Sequence, residues 1–143
     1  TWNIKETTIE AIYPVTHQIE EFIDPHPLEE YKKRLGKRPH LILAAYDGET
    51  IIGFKIGYEL SKTTFYSWMG AVLSSYRNQN VGKQLAQFQE NWVRENNYTT
   101  IRFKTRNKLR SMLLFAIKND FYIIKIEPRE DIREHRIVME KQL

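Results

Sequence analysis

The strongest constraint on the fold is a pair of apolar segments joined by Asp47-Gly48, in HLILAAYDGETIIGFKIGYEL. This dipeptide suits the positive backbone angles of a tight turn between antiparallel strands. Alternate residues of the second arm are apolar and the intervening ones include two glycines: Ile52, Phe54, Ile56 and Tyr58 against Gly53, Lys55, Gly57 and Glu59. Because side chains alternate along a strand, the sequence predicts one core face and one face with little side-chain bulk.

The rest of the chain predicts strands and helices in alternation. Further strands are expected at residues 2–6, 63–73, 99–105, 121–127 and 135–143, and helices at 12–22, 28–35, 81–96 and 108–119. Two predicted helical stripes are Val81, Leu85, Phe88 and Trp92, and Leu109, Met112, Leu113, Ala116 and Ile117. A strand, a helix and a strand in succession predict a parallel crossover. The expected fold is α/β, one domain over residues 1–143, with a mixed, mostly antiparallel sheet flanked by helices.

Composition narrows the functional classes. The chain has no cysteine, which excludes a disulfide framework, a thiolate metal site and a cysteine nucleophile. No segment approaches the roughly 18 apolar residues of a membrane span, so we expect a soluble, cytoplasmic protein without a membrane partner. The formal net charge of +4 favours an anionic ligand, which includes both nucleic acid and phosphate-bearing cofactors.

The segment SSYRNQNVGKQL joins the third predicted strand to an amphipathic helix. The first turn of a helix has backbone N–H groups without intrahelical partners and carries partial positive charge, so phosphate binds well there. Gly82 would let the backbone approach an anion, and Arg77 and Lys83 would add charge. The alternative is an ordinary polar turn that caps a helix. The segment is not a Walker loop, because the second glycine and the Gly-Lys-Ser/Thr ending are missing.

The same junction, V72-LSSY-R77-NQ-N80-V-G82, resembles the signature of the GNAT superfamily of acyl-CoA-dependent N-acyltransferases. Arg77 and Gly82 match that signature, whereas Asn80 stands at its first glycine position; Asn tolerates a left-handed backbone. A second stretch, S111-MLLFAIKND-F121, is similar to the family's Lys-x-Gly-Phe helix end, with Asp120 where glycine is usual. The order of predicted elements agrees with the family along nearly the whole chain.

The resemblance implies an N-acetyltransferase that moves acetyl from acetyl-CoA to a primary amine of a small molecule or peptide by direct attack, without a metal. Pantetheine would lie between residues 66–72 and 100–105, held by backbone groups of Val72 and Leu73. The pyrophosphate would be held by Arg77 and by the backbone amides of Asn78, Gln79, Asn80, Val81, Gly82 and Lys83. A backbone N–H at the strand end would polarise the thioester.

The catalytic acid and base are less evident from the sequence. The tyrosine that often serves as acid in the family would fall at Ala116, or at Phe115 after a shift of one residue, and neither has a hydroxyl. Glu59 is the first candidate for the base, and a solvated strand-end carboxylate is its alternative interpretation. Tyr58 and Tyr66 are hydroxyl alternatives, although aromatic residues in strands usually serve packing.

Histidines and tryptophans allow further interpretations. His17, His26, His40 and His135 have no metal-ligand spacing and are interpreted as structural or surface residues. The DPHP loop at residues 24–27 separates two predicted helices and is interpreted as a lid. By the resemblance, this loop would place His26 at the border of the acceptor pocket. Trp92 is expected in the core and Trp68 along the cleft; tryptophans, Trp2 included, can also be stacking platforms for nucleic acid.

The sequence is compatible with several alternatives. The basic segment 32–40 is either a solvated helix end or a surface for an acidic or phosphate-bearing acceptor. A non-catalytic CoA-binding sensor or interaction module of the same fold competes with the enzyme, because the tyrosine is missing. A small basic RNA-binding domain is the third interpretation, and nucleic acid is not a partner in the first two. Pairing of the C-terminal strands between subunits would give a homodimer.

Overall fold

The computed structural model describes residues 2–20, 22 and 26–143. Within these residues, seven strands and four helices follow one another: β1 (Asn3–Glu6), α1 (Ile9–Thr16), α2 (Leu28–Leu35), β2 (His40–Asp47), β3 (Thr50–Glu59), β4 (Thr64–Val72), α3 (Val81–Glu95), β5 (Thr100–Arg106), α4 (Arg110–Lys118), β6 (Tyr122–Glu127) and β7 (Arg136–Gln142). Short 3-10 helices occupy Ser74–Tyr76 and Ile132–Glu134. The predicted succession of elements is confirmed.

The strands form one mixed sheet in the order β1-β2-β3-β4-β5-β7-β6. β4 and β5 run parallel, with Thr64 opposite Thr100 and Tyr66 opposite Arg102, as a strand, helix and strand in succession require. The Asp47-Gly48 turn joins β2 to β3, and Gly48 has a positive φ of 64°. The α/β class and the single parallel crossover are therefore confirmed. β7 lies between β5 and β6, an insertion that the sequence pattern did not predict.

The first helix differs from its predicted range of residues 12–22. α1 begins at Ile9 because the Thr8 side chain accepts a hydrogen bond from the Ala11 N–H and caps the helix. It ends at Thr16, where the His17 N–H bonds to Pro14 O in a tight last turn. Glu21 of the predicted helix, and Asp24 and Pro25 of the predicted lid, lie outside the described residues.

By internal contacts the chain divides into two compact units, and the first comprises Thr1–Glu59 and Trp68–Trp92. Its core includes the predicted face of β3, where Ile52, Phe54 and Ile56 are fully buried. The opposite face is not bare, contrary to expectation. A Cβ atom at Gly53 would lie 3.2 Å from Val81 Cγ1 and 3.4 Å from Leu85 Cδ1. The space left by this glycine is thus filled by α3.

The buried side of α3 is rotated from the predicted stripe. Val81 and Leu85 are buried, but Phe88 is exposed and Trp92 is only partly buried, so the prediction of a core position for Trp92 was wrong. Gln89 and Val93 are buried in their place. Residues four apart advance about 40° around a helix, so the buried line drifts away from Phe88. A polar residue such as Gln89 gives no apolar signal at its position.

The second unit comprises Leu60–Ser67 and Val93–Leu143. In it, α4 packs on the sheet through Ala116 and Leu113, in a cluster with Ile137, Met139, Phe103 and Phe121. The predicted stripe of α4 was too wide, because Leu109, Met112 and Ile117 are exposed. The helix is short and a single narrow face reaches the sheet. That residues 1–143 form one domain stays a prediction.

Candidate active site

The loop between β4 and α3 has two residues in the left-handed backbone region. The strand ends at Val72, and a 3-10 turn at Ser74–Tyr76 leads to Asn78 with φ of 63° and Asn80 with φ of 68°. Among residues other than glycine, Asn adopts this conformation most readily. This geometry explains how Asn80 occupies a position at which the GNAT signature has glycine.

The start of α3 presents unpaired backbone donors. Its first hydrogen bond runs from Gln84 N to Asn80 O at 3.0 Å. The N–H groups of Val81, Gly82 and Lys83 precede that bond and have no helical carbonyl to pair with. The helix dipole places partial positive charge at the same turn. An anion is the natural ligand for this arrangement.

Gly82 leaves space over that turn that the protein does not use. A Cβ atom there would meet only Val72 Cγ2, at 3.8 Å, which is an ordinary van der Waals distance. Packing within the protein therefore does not require glycine at this position. Gly53 differs, because its Cβ would lie 3.1 Å from Ala71 O. The open space at Gly82 fits the close approach of a ligand to the backbone.

Trp2 and Tyr76 brace the loop, a role that the sequence did not indicate. The Trp2 Nε1–H donates to Gln79 O at 2.8 Å, and the Trp2 backbone N–H donates to Gln84 Oε1 at 2.9 Å. The Trp2 and Tyr76 rings meet edge to face at 5.8 Å. The Tyr76 hydroxyl donates to Asp47 at 2.8 Å, and this bond raises the pKa of Tyr76. We find no sequence pattern that signals these long-range contacts.

The predicted pantetheine contacts at the end of β4 have partners within the protein. Arg77 Nε donates to Val72 O at 3.0 Å, so this side chain ties the loop back to the strand. The Leu73 N–H donates to Ile52 O at 2.9 Å. Lys83 is exposed on the first turn of α3. Among the predicted cofactor residues, Val81, Gly82 and Lys83 therefore have backbone N–H groups that donate to no carbonyl of the helix.

A cluster of four aromatic residues and one arginine lies on the opposite face of β3 and is called the aromatic cluster below: His26, Tyr31, Arg34, Tyr58 and Trp68. His26 stacks on Trp68 with ring centroids 6.1 Å apart, and Tyr58 meets Trp68 at 5.8 Å. The Arg34 guanidinium lies 4.9 Å from the centre of the Trp68 ring, within cation–π distance. Arg34 also reaches the Tyr58 hydroxyl at 3.5 Å. The cluster joins side chains from three regions of the sequence.

β4 changes its alternation between Trp68 and Gly70. Trp68 contacts Tyr58, whereas a Cβ at Gly70 would lie 3.4 Å from Cγ of Lys55, on the face that α3 covers. Residues two apart in a regular strand share one face, so these contacts require an irregularity. The Lys55 side chain occupies the space beside Gly70, and burial lowers the pKa of its amine to about 8.

The predicted base and the missing acid are both placed by the structure. Glu59 is the last residue of β3 and is partly buried; its N–H donates to Pro39 O at 2.9 Å. Alternation directs its side chain away from the face of Tyr58 and the aromatic cluster. Ala116 is buried in α4 and Phe115 is exposed, so neither supplies a hydroxyl at the position of the family's tyrosine.

The other histidines have local contacts. His17 meets the Tyr13 ring, His40 Nδ1 lies 3.0 Å from Arg38 O, and His135 Nδ1 accepts from the Arg129 N–H at 3.0 Å. Within residues 2–20, 22 and 26–143, no three potential metal-ligating side chains come together. None of the described helices has the length and apolarity needed to span a bilayer. A cavity of about 660 Å³ in the second unit, beside Asn107, Arg110 and Ile132, includes no predicted cofactor residue.

Comparison with known proteins identifies the family. The family model for Acetyltransferase (GNAT) family matches residues 7–116, which include β4, the loop and α3. The chain belongs to the GNAT acetyltransferase family. A sequence search of curated proteins gave no significant match.

Solved GNAT structures share the fold at low sequence identity. The ribosomal-protein-S18-alanine N-acetyltransferase from Escherichia coli superposes with a TM-score of 0.85 at 17% identity, covering 99% of this chain and 94% of that chain. A GNAT family acetyltransferase from Elizabethkingia anophelis with acetyl-CoA bound gives 0.79 at 20% identity, covering 99% and 98%. An aminoglycoside 6'-N-acetyltransferase complexed with coenzyme A gives 0.78 at 16% identity, covering 98% and 96%. These matches confirm the predicted GNAT fold.

Proposed function

We propose that this GNAT protein transfers the acetyl group of acetyl-CoA to a primary amine of a small molecule or peptide. The observation that carries the proposal is the first turn of α3. There the N–H groups of Val81, Gly82 and Lys83 precede the first helical hydrogen bond, and the missing Gly82 side chain leaves open space. A pyrophosphate supplies the oxygens that such donors bind. Relatives of the same fold are solved with acetyl-CoA or coenzyme A, which supports this choice of ligand.

In the proposed reaction the amine nitrogen forms a bond to the acetyl carbon and the carbon–sulfur bond breaks, giving an amide and coenzyme A. The attacking amine must lose a proton, and the departing thiolate takes one up. Because Ala116 supplies no hydroxyl, we propose that the thiolate takes its proton from water. Arg77 and the amides of Asn78, Gln79 and Asn80 complete the proposed pyrophosphate site, and the backbone of Val72 and Leu73 holds pantetheine.

Two candidates for the base lie on opposite faces of β3. Glu59 stays the first proposal, because a carboxylate accepts a proton readily and lies at the strand end. The Tyr58 hydroxyl is the second, because it belongs to the aromatic cluster and has a cation, Arg34, 3.5 Å away. The pH dependence of kcat/KM separates them. If Glu59 is the base, Glu59→Gln abolishes the acidic limb of the profile, whereas Tyr58→Phe leaves it in place.

The aromatic cluster supports a location for the acceptor. Trp68 is partly exposed beside the buried ring of Tyr58, and Arg34 and Arg38 place guanidinium groups over these two rings at 4.9 and 4.6 Å from their centres. Such an arrangement suits an amine whose other end is carboxylate or phosphate. The basic segment 32–40 is then part of the acceptor surface. His26, stacked on Trp68, borders it.

The experiment that tests the function is release of coenzyme A from acetyl-CoA with a panel of amines. The panel contains neutral, basic and acidic small amines and peptides with free N-termini. Acceptor-dependent release, absent with the matching N-acetylated compounds, is the expected result. Binding of acetyl-CoA without release for any amine would favour the non-catalytic CoA-binding module, to which the missing tyrosine also points. Failure of acetyl-CoA to bind would contradict both.

A further inference from the structure

The second unit has exposed apolar side chains on the edge strand of its part of the sheet. β6 is the last strand of the sheet and, in the described part of the chain, pairs with β7 alone. Its side chains are nonetheless mostly apolar and exposed: Tyr122 at 73%, Ile123 at 50%, Ile124 at 48% and Ile126 at 52%. An edge strand of this kind offers unpaired backbone groups and apolar side chains together, which natural sheets usually avoid.

The register of β6 shows that the exposed isoleucines continue an existing core. Ile123 lies opposite Met139 and Ile126 opposite Ile137 on β7. Met139 and Ile137 are buried beneath Ala116 of α4. Cross-strand partners point to the same face, so Ile123 and Ile126 extend this apolar row to the edge, where nothing covers them in the described residues. A further strand beside β6 would bury them.

We propose that β6 is the interface through which two copies of this chain associate, with the two β6 strands antiparallel and edge to edge. An isologous contact of this type pairs the same surface on both subunits, and β6 is then no longer an edge strand. It satisfies the outward backbone groups and covers the isoleucines at once. α4 contributes further apolar side chains on the same unit, with Leu114 at 69% and Ile117 exposed.

The charges of β6 favour a second copy. Lys125 and Glu127 are its only charged residues, so the strand has no net charge. In the antiparallel register that sets Ile123 opposite Ile126 of the second copy, Lys125 faces Ile124 and Glu127 faces Tyr122. No like charges are then directly opposite each other, and the two Lys125 side chains lie diagonally on either side of the two-fold axis. A strongly acidic or strongly basic partner protein would gain no net attraction from this strand, because its two charges cancel.

The apolar surface is also large enough for a specific contact. A stable complex buries about 800 Å² on each partner. A tyrosine alone buries roughly 150–250 Å² when fully covered. Tyr122, the three isoleucines of β6, Leu114 and Ile117 together therefore offer apolar area on the order of that needed for one side of a homodimer.

Sedimentation velocity across 1 to ~100 μM protein tests the proposal. We expect a dimer for the wild type, at least tenfold weaker association for Ile124→Lys, and unchanged association for Leu60→Lys, which is 43% exposed on the same unit. Circular dichroism checks that each variant is folded. A wild type that stays monomeric throughout, or an equal loss in both variants, would overturn the proposal.

The absence of cysteine allows a second test that does not depend on a disruptive substitution. A single Ile124→Cys substitution places one thiol near the proposed two-fold axis, where Cα atoms of paired strands are close enough for a disulfide. Mild oxidation should give a covalent dimer for Ile124→Cys and not for Leu60→Cys. Crosslinking of Leu60→Cys alone, or of neither variant, would show that β6 is not the interface.

Discussion

The two faces of the sheet in the first unit form their candidate sites by different means. On the face covered by α3, the site consists of backbone donors and a missing side chain within one short segment, residues 72–83. On the other face, the site consists of side chains brought from α2, β3, β4 and the segment before α2. A site formed by local backbone geometry leaves a continuous sequence signal. One formed by dispersed side chains does not.

The largest expected effect contrasts two glycines on the α3 face. Gly53→Val places a branched side chain 3.1 Å from Ala71 O and against Val81 and Leu85, and should lower the free energy of unfolding by about 3 kcal/mol. Gly82→Val meets only Val72 Cγ2 and should change it by less than ~0.5 kcal/mol. Urea unfolding measures both. Equal destabilisation would mean that Gly82 is held by packing and not kept open for a ligand.

Lys55 tests whether water is excluded from the face of β3 that α3 covers. Burial lowers the pKa of Lys55 to about 8 in the folded protein, below its unfolded value of 10.5. Between these values the unfolded chain binds more protons, so this residue makes the free energy of unfolding rise with pH. At pH 7 most of the amine is still charged, and burial of this charge destabilises the folded protein. Lys55→Met removes that cost and should raise the free energy of unfolding by about 2 kcal/mol.

The measurement for Lys55 is the difference between wild type and Lys55→Met in urea unfolding at pH 7.5, 9 and 10.5. Tyr31 and Tyr76 also have raised pKa values, but they are present in both proteins. Their contributions to the pH dependence therefore cancel in this difference. The advantage of the variant should shrink as the pH rises. A difference that does not vary with pH would show that the amine is solvated.

A substitution in the aromatic cluster should affect the KM for the acceptor amine and not the KM for acetyl-CoA, because the two ligands are proposed to bind on different faces of the sheet. Trp68→Ala removes the ring that His26, Tyr58 and Arg34 contact, so we expect about a tenfold higher KM for the acceptor amine. The KM for acetyl-CoA should stay within about twofold. Phe88→Ala, at an exposed aromatic residue of α3, is the control. An increase confined to acetyl-CoA would place the acceptor elsewhere.

The smallest effect concerns the brace of the loop. Trp2→Phe keeps an aromatic ring beside Tyr76 but removes the Nε1–H bond to Gln79 O. One hydrogen bond contributes about 1 kcal/mol, so the Kd for acetyl-CoA should rise about fivefold. Isothermal titration calorimetry measures this change. An unchanged Kd would show that the loop holds its conformation without Trp2.

These differences explain how much the sequence could predict. Periodicity and the Asp47-Gly48 turn predicted the strands, the parallel crossover and the core face of β3, because each depends on neighbouring residues. The polar turn before α3 and the start of that helix were predicted for the same reason, and the cofactor site at Asn78–Lys83 stays a prediction. The sequence allowed a left-handed backbone to be expected at Asn80, because this conformation depends on the residue type itself.

Other features depend on contacts between distant residues. The hydrogen bond from Trp2 to the loop joins residues that are 77 positions apart in the sequence. The change of face in β4 between Trp68 and Gly70 is not indicated by any residue pattern in the strand. The α3 stripe was misplaced at Phe88 and Trp92 because buried Gln89 is polar and carries no hydrophobic signal. The narrow packing face of α4 likewise depends on its place on the sheet, so Leu109, Met112 and Ile117 were wrongly expected to be buried.

The most direct test of the central claim is thermal unfolding of wild type and Gly82→Val with acetyl-CoA, coenzyme A or ATP. A ligand at 100 times its Kd stabilises a protein by about 2.7 kcal/mol, which is a readable shift. We predict that acetyl-CoA and coenzyme A raise the Tm of the wild type more than ATP does, and that Gly82→Val loses this shift while its own Tm is retained. An equal shift in both proteins would contradict the placement of the cofactor at the start of α3.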